Sequence, residues 1–150
     1  MKRFAILLLM CLPIMSLGQA EITELTWEDL KIEEFGEKEV IGGLEYAKPV
    51  FTDEQVSLDG KNVMLSGNFH VLNNFGSKTY LLSSEEIIKT PMNGDEVIRL
   101  LIDKDPEIFY GKTIQITGLL HIERDIEAET IYYITDVDIC LLYTSDAADD

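Results

Sequence analysis

Two matching stretches decide the fold: Gly60-Lys61-Asn62-Val63-Met64-Leu65-Ser66-Gly67-Asn68-Phe69-His70-Val71 and, 51 residues later, Gly111-Lys112-Thr113-Ile114-Gln115-Ile116-Thr117-Gly118-Leu119-Leu120-His121-Ile122. Both copies alternate apolar and polar residues with a period of two, which is typical of a strand with one buried face. Each copy has a glycine in mid-strand, where a bulge or a sharp bend is the usual reason. Two long, bent strands of the same design predict a small closed barrel.

The N-terminal segment has the pattern of a secretory signal peptide. Two basic residues precede an apolar run, Phe4–Met15, that is short for a membrane span. Small residues follow the run, and the sequence allows cleavage after Gly18 or after Ala20. We therefore expect residues 1–20 to be removed during export, which predicts a periplasmic or secreted bacterial protein. A membrane anchor is the alternative.

The C-terminal residues form a second segment that we expect to lie outside the domain. Residues Cys140–Asp150 closely resemble the translation of a transposase adapter used in preparing sequencing libraries, and they interrupt the alternation of the preceding strand. The barrel is therefore predicted to end at Ile139. Because Cys11 and Cys140 both fall in the terminal segments, no disulfide or thiolate metal site is expected in the domain.

The composition narrows the classes of partner. The chain has 28 acidic and 12 basic residues, a formal net charge of −16 at pH 7, and the domain stays strongly negative without its terminal segments. Nucleic-acid affinity comes largely from lysine and arginine side chains that displace counterions from phosphates. We therefore expect no nucleic-acid partner and no stable membrane insertion after signal cleavage. A cation, a basic protein surface or a neutral ligand fits the charge.

The sequence divides the domain into an N-terminal extension, residues 21–58, and a barrel, residues 59–139, on which the extension packs. Thr26 and Thr52 each begin a capping-box pattern that predicts a short helical turn. The charged segment Glu33–Glu39 is predicted to be a loop. The glycine pair that follows breaks the chain before an extended segment, 46–51, which contains a proline.

Five strands are predicted in the barrel. They run over Lys61–Asn73, Thr79–Ser83, Glu96–Ile102, Lys112–Arg124 and Thr130–Ile139. Long, glycine-bent first and fourth strands predict a mainly β domain with a five-stranded OB-like barrel, closed or partly open, and a short N-terminal helical turn. The link Asp105–Tyr110 is too short for a full helix and predicts a turn or two.

The chain resembles a family of uncharacterised bacterial envelope proteins with a domain of unknown function. The resemblance is carried by Leu25-Thr26-Trp27-Glu28-Asp29-Leu30, by Pro49-Val50-Phe51 and by Leu58-Asp59-Gly60-Lys61-x-Val63-x-Leu65-x-Gly67. It covers most of the mature chain and implies an exported domain without an established activity. Many relatives carry cysteines after the second strand, whereas Ser83–Asn93 has none, so the resemblance implies no cysteine-based role for this chain.

His70 and His121 are candidates for a metal site, because they occupy matching positions in the two repeats on the face opposite the apolar one. The first and fourth strands of an OB barrel pair, and the acidic loop offers Asp125 and Glu127 as further ligands. The alternative is that both histidines are amphipathic residues on an exposed surface and that the loop is a solvated hairpin tip. No cofactor is predicted, since no His-x-His, H-E-x-x-H or EF-hand spacing is present.

Phe75, Tyr80 and Arg99 are the candidate binding residues, because OB barrels usually meet ligands on the second and third strands and the first loop. Aromatic stacking there suits a sugar, a base or a peptide; the alternative is a core tyrosine and a solvated arginine. No catalytic triad pattern or phosphate loop is present, so an enzyme is not predicted. The sequence predicts a non-catalytic exported module that binds another envelope protein or a small ligand, with cation binding through the histidines and the acidic loop as the alternative.

Overall fold

The computed structural model describes residues 20–86, 88, 94–125, 128 and 130–142. Its elements, in chain order, are β1 Thr23–Glu24, α1 Trp27–Leu30, β2 Glu34–Ile41, β3 Leu44–Val50, α2 Asp53–Ser57, β4 Asn62–Asn74, β5 Ser77–Ser83, β6 Val97–Leu100, a 3₁₀ turn Glu107–Phe109, β7 Thr113–Ile122 and β8 Tyr132–Leu141. Within the described residues, no helix is long and apolar enough to cross a membrane.

Five strands close the barrel. β4, β5, β6, β8 and β7 are neighbours in this order, and β4 pairs again with β7. The β6–β8 pair is parallel, and the other pairs of the barrel are antiparallel. β1 adds a short parallel strand to β4. The predicted five-stranded OB-like barrel is therefore confirmed.

The two repeat strands, β4 and β7, pair antiparallel around a local two-fold axis. Leu65 faces Ile116, which is its own counterpart in the other repeat. The backbone bonds on both sides match: Gly60 N–H to Leu120 O at 2.7 Å, and Gly111 N–H to Phe69 O at 3.1 Å. Both of these glycines have positive φ, +79° and +68°, so the turn before each strand favours glycine.

The two mid-strand glycines serve the barrel in different ways. At Gly118 the register between β7 and β8 shifts, and an added Cβ would lie 2.5 Å from a methyl carbon of Ile134. At Gly67 the pairing keeps its register, but an added Cβ would lie 2.7 Å from the carbonyl oxygen of Ser83 and 3.0 Å from the ring of Trp27. The predicted bulge is confirmed at Gly118, whereas Gly67 makes room for its neighbours.

Parts of the N-terminal extension belong to the barrel core. Leu25, Leu30, Ile32 and Leu58 are buried with the inward residues of the five strands. The fully buried Tyr132 donates its hydroxyl to the carbonyl oxygen of Leu30 at 3.0 Å. Burial, with a smaller effect of Asp95, raises the pKa of the Tyr132 hydroxyl far above its usual value, so this donor stays protonated.

Both predicted capping boxes are confirmed. The amide of Thr26 donates to the Asp29 carboxylate at 2.7 Å. The amides of Thr52 and Gln55 donate to each other's side chains, at 3.0 and 3.2 Å. Gln55 also donates its side-chain amide to the carbonyl oxygen of Lys31 at 2.8 Å, which ties the second helical turn to the end of the first.

The prediction of a loop over Glu33–Glu39 was wrong. Residues 34–39 belong to β2, which pairs antiparallel with β3, and Ile41 faces Leu44 across the turn. Gly42 and Gly43 both have positive φ, +60° and +87°, as a two-residue type I′ hairpin turn requires. The alternating pattern that marks a strand is absent because almost every residue of β2 is exposed, and charged side chains therefore occupy both faces.

All five barrel strands differ from their predicted bounds by one or two residues at one end or at both. β8 continues past Ile139, because Cys140 pairs with Gln115 and Leu141 with Ile114 in β7. β5 begins two residues earlier than predicted, and β6 is shorter at both ends. The predicted short link between the third and fourth barrel strands is confirmed as the 3₁₀ turn. Residues 1–19 and 143–150 of the two terminal segments lie outside the described residues.

Candidate binding groove

The structure does not bring Phe75, Tyr80 and Arg99 together. Phe75 stands fully exposed at the β4–β5 turn with a positive φ of 47°. Tyr80 points into the barrel, where its ring stacks on Phe69 with 6.0 Å between centroids. Arg99 points outward, with its guanidinium 5.6 Å from the ring centroid of Tyr133. The three side chains share no surface, so they do not form the predicted ligand face.

The two histidines lie at opposite ends of one row of outward side chains. The row crosses the five barrel strands as His70, Leu81, Arg99, Tyr133 and His121. β4 and β7 are also direct neighbours, but His70 and His121 lie beyond opposite ends of their paired stretch, which spans seven residue pairs at about 3.3 Å per residue. Ligand nitrogens lie only about 2 Å from a zinc ion that they share. Because the two-fold axis passes between Leu65 and Ile116, matched residues beyond it diverge, and the two histidines cannot bind one ion.

Each histidine has partners on its own part of the surface. His70 Nε2 lies 3.2 Å from the hydroxyl of the buried Ser83. His121 Nε2 lies 2.9 Å from the hydroxyl of Thr135, and its ring stacks on Tyr133 with 4.9 Å between centroids. These contacts fit the alternative interpretation, in which both histidines are amphipathic surface residues.

Within the described residues, the acidic loop does not provide a set of metal ligands. Asp125 is exposed, and its amide donates to the carboxylate of Glu123 at 3.1 Å. Glu127, the other predicted ligand of this loop, lies outside the described residues. In the part of the chain that the structure describes, no group of three or more His, Cys, Asp or Glu side chains is placed to hold a metal ion.

A polar cluster at one end of the barrel joins the β4–β5 hairpin to the 3₁₀ turn. The Lys78 ammonium group contacts the Asp105 carboxylate and lies 3.1 Å from the Tyr110 hydroxyl, which also donates to Asp105. The hydrogen bond to Asp105 is the main cause that raises the pKa of Tyr110. The hydrogen bonds among these three side chains tie the hairpin to the turn.

A groove of about 960 Å³ separates the β2–β3 hairpin from the barrel. Trp27, Ile32, Phe51 and Ile131 supply its apolar lining. The hairpin contributes Phe35 of β2 and five consecutive residues of β3, Glu45, Tyr46, Ala47, Lys48 and Pro49. The barrel contributes the segments 94–96 and 123–125 from the two connections next to β6 and β8, together with Ser84, Ala128 and Thr130.

The hairpin is anchored at its base and exposed along its length. Before β2, the amide of Ile32 donates to the Asp95 carboxylate at 2.9 Å. After β3, the ring of Phe51 meets the ring of Tyr132 edge to face at 6.0 Å. Between these anchors, the apolar side chains Phe35, Val40, Leu44 and Val50 are 50%, 69%, 62% and 44% exposed. The base is therefore fixed while the arm projects into solvent.

Within the described residues, each strand of the hairpin has one edge without a strand partner. In the described part of the chain, β2 and β3 form a two-stranded sheet of their own. Successive side chains of a strand alternate between its faces. Five consecutive residues of β3 line the groove together with Phe35 of β2, so the groove runs along β3, whose second edge is unpaired in the described part of the chain. This edge is the open boundary of the site.

The charges around the groove are mainly negative. Its lining carries six acidic residues, Glu28, Glu45, Asp95, Glu96, Glu123 and Asp125, and three basic ones, Lys31, Lys48 and Arg124. Each basic side chain pairs with an acid of this chain, at 3.9 Å for Lys31–Glu28, 2.6 Å for Lys48–Glu39 and 3.2 Å for Arg124–Asp59. Among the described lining residues every basic side chain is therefore paired, and three of the acids, Glu28, Glu45 and Glu123, are paired as well.

Of the candidate site residues that the sequence predicts and the structure describes, Asp125 alone lines this groove. The other lining residues were not predicted as site residues, because the groove depends on the hairpin and the first strand of the hairpin has no alternating pattern. One signal was available. The pair Gly42-Gly43, flanked by Ile41 and Leu44, has the composition of a type I′ hairpin turn.

No protein-family model and no curated protein matches this chain. Its structure is similar to the crystal structure of a DUF3299 family protein from Pseudomonas aeruginosa PAO1, with a TM-score of 0.52 and 18% sequence identity. The match covers 81% of this chain and 98% of that one. At this identity the likeness shows a shared fold.

Proposed function

We propose that this chain is a non-catalytic interaction module of the bacterial cell envelope, exported through its N-terminal segment, which uses the β2–β3 hairpin to hold another envelope protein. The exposed hairpin is the observation that carries the proposal. A two-stranded hairpin is marginally stable by itself in water. Among the described residues, none of the buried hydrophobic side chains comes from residues 34–50, so the barrel core does not depend on the arm.

A partner that covers the arm would gain apolar contact area. Phe35, Val40, Leu44 and Val50 are each about half exposed or more. Burial of the remaining surface of one such side chain contributes about 1 kcal/mol. Four of them on one arm form a contact surface of the kind found in protein interfaces, where aromatic and aliphatic anchors contribute most of the affinity.

The envelope location rests on the N-terminal segment and on the resemblance to exported proteins. The likeness in fold to a DUF3299 family protein supports a distant relation to that family. We propose this relation as a hypothesis of common descent that carries no activity with it. The alternative, a metal- or cation-binding protein that uses His70 and His121, loses support because the two imidazoles lie far apart.

Photo-crosslinking in the host cell tests the proposal. A photoreactive phenylalanine analogue replaces Val40 on the arm or, as the control, Ile108 at the barrel end; both native side chains are 69% exposed. We expect a discrete adduct of higher mass from position 40, in the fraction released by osmotic shock, and none from position 108. Equal adducts from both positions, no adduct from position 40, or retention of the protein in the cytoplasm would contradict it.

A further inference from the structure

We infer that the free edge of β3 is a docking site for an extended, basic peptide segment, which adds a third strand to the hairpin. The inference rests on the proposed function, because it specifies what the partner presents to the arm. It is carried by three features of the groove: an unpaired strand edge, an apolar lining beside that edge, and a surplus of carboxylates.

The free edge of β3 is already extended and can pair with a further strand. β3 is held in register by β2 and by two cross-strand ion pairs, Lys38–Glu45 at 2.9 Å and Lys48–Glu39 at 2.6 Å. An extended peptide that pairs with such an edge obtains its affinity from main-chain hydrogen bonds. Pro49 has no N–H and offers no donor to a new strand, so pairing is confined to the stretch that precedes it.

The lining of the groove suits the side chains of such a strand. Alternate side chains of an added strand point to opposite faces. Trp27, Tyr46 and Phe51 offer rings to those that point into the groove. The volume of about 960 Å³ lies at the upper end of the range of small-molecule sites, about 300–1,000 Å³, and five of the seven residues of β3 line it. A short peptide strand fits these dimensions.

The net charge of the groove lining favours a basic segment as the bound peptide. The described lining has six acidic and three basic residues, which gives it a net negative charge although Glu28, Glu45 and Glu123 pair with bases of the chain. A segment rich in lysine or arginine gains favourable Coulomb energy on entering, whereas an acidic segment is repelled. A second copy of this chain, with its formal net charge of −16, is disfavoured for the same reason. The occupant is therefore a basic strand of another protein.

Fluorescence of Trp27 provides the test, because this residue lines the groove and is the one tryptophan of the chain. The mature protein is titrated with three probes: a (Lys-Val)₄ peptide, the matched (Glu-Val)₄ peptide, and a (Lys-Val)₄ peptide N-methylated at alternate residues. We expect a saturable change in emission with the first peptide and none with the second. Since each backbone hydrogen bond contributes about 1 kcal/mol, we expect the N-methylated peptide to bind about ten-fold more weakly or worse.

A charge-reversal pair locates the site on the edge. Glu45→Lys, made together with Lys38→Glu to keep their ion pair, places a base in the groove lining, and Glu37→Lys reverses a charge on the same hairpin outside that lining. We expect the first variant to weaken (Lys-Val)₄ binding about five-fold, and the second by no more than about two-fold. The N-methylated peptide is titrated against the protein without substitutions, so its result does not depend on whether either variant folds. It therefore tests strand pairing independently.

The outcomes separate this inference from the proposed function. One outcome is an adduct at position 40 in cells together with no change of Trp27 fluorescence on adding (Lys-Val)₄. This outcome supports the interaction module but overturns the inference that a basic peptide strand binds to β3. A Trp27 response without any adduct supports the strand site and contradicts the proposed role. Equal binding of the acidic or the N-methylated peptide overturns the inference, and so does a peptide-free dimer in sedimentation, which would assign the edge to a second copy.

Discussion

The barrel and the β2–β3 hairpin are built from the same kind of element but are stabilised differently. Each barrel strand has neighbours on both sides, and the β4–β7 pair closes the ring. The hairpin strands have only each other in the described part of the chain, and their side chains are mostly exposed. The contrast teaches that the barrel is stable through its own contacts, whereas the hairpin has exposed apolar side chains and a strand edge without a partner strand among the described residues.

The largest expected effect comes from a mid-strand glycine of the barrel. Gly118→Ala places a Cβ 2.5 Å from a methyl carbon of Ile134 and 2.6 Å from the carbonyl oxygen of Thr135. Overpacking of this kind costs about 1–3 kcal/mol, and backbone contact on one side favours the upper end. Gly36→Ala in β2 is the matched control, because its nearest atom lies 3.6 Å away. Urea unfolding measures both, and similar losses would remove the distinction between barrel and arm.

The next effect tests how the extension is fixed to the barrel. Tyr132→Phe removes the hydroxyl that donates to the carbonyl oxygen of Leu30 and leaves that oxygen unsatisfied. We expect a loss of about 1–3 kcal/mol in the free energy of unfolding. A cost below the error of the measurement would show that this bond does not hold the extension.

The same residue predicts a dependence on alkaline pH. Burial raises the pKa of Tyr132 in the folded protein above the unfolded value of about 10. The folded state therefore binds more protons than the unfolded state above pH 10, and stability falls as the pH rises through this range. Below pH 10 the contribution is fully present. Tyr132→Phe should flatten this fall, and an unchanged slope of stability against pH would contradict the assignment.

A smaller effect is expected at the anchor of the arm. Asp95→Ala removes the carboxylate that accepts from the amide of Ile32 just before β2. We expect a loss of about 1–2 kcal/mol, because this bond has a charged acceptor. Amide exchange over residues 34–50 should accelerate in the variant more than exchange in β4 and β7. Uniform acceleration over the whole chain would show that arm and barrel unfold together.

The smallest effect on stability is expected on the arm itself. Leu44→Lys changes a side chain that is 62% exposed, so the free energy of unfolding should change by no more than about 0.5 kcal/mol. The adduct formed from position 40 in cells should nevertheless disappear. Leu65→Lys, in the core, should instead prevent folding. A persistent adduct in Leu44→Lys would place the partner elsewhere.

The sequence predicts the barrel well because alternation and glycine position are local signals. Leu65 and Ile116 each lie in a strand with a clear period of two, and the register that pairs them follows from closing the barrel. The pattern cannot say how far matched residues are from the two-fold axis. For that reason the sequence could not decide that His70 and His121 diverge.

The groove escapes sequence analysis for a different physical reason. Trp27, Glu45, Asp95 and Arg124 come from four separate parts of the chain, and tertiary packing alone brings them to one groove. β2 lacks alternation because water surrounds both of its faces. A strand that serves a partner instead of the core leaves little trace in the hydrophobic pattern.

Amide hydrogen exchange with and without (Lys-Val)₄ tests the contrast between barrel and arm most directly. In the free protein we expect the amides of residues 44–48 to exchange far faster than those of β4 and β7, because few contacts protect the arm. With the peptide bound, exchange at residues 44–48 should slow while the barrel stays unchanged. Arm amides as protected as the barrel in the free protein, or no added protection with the peptide, would contradict the role assigned to the hairpin.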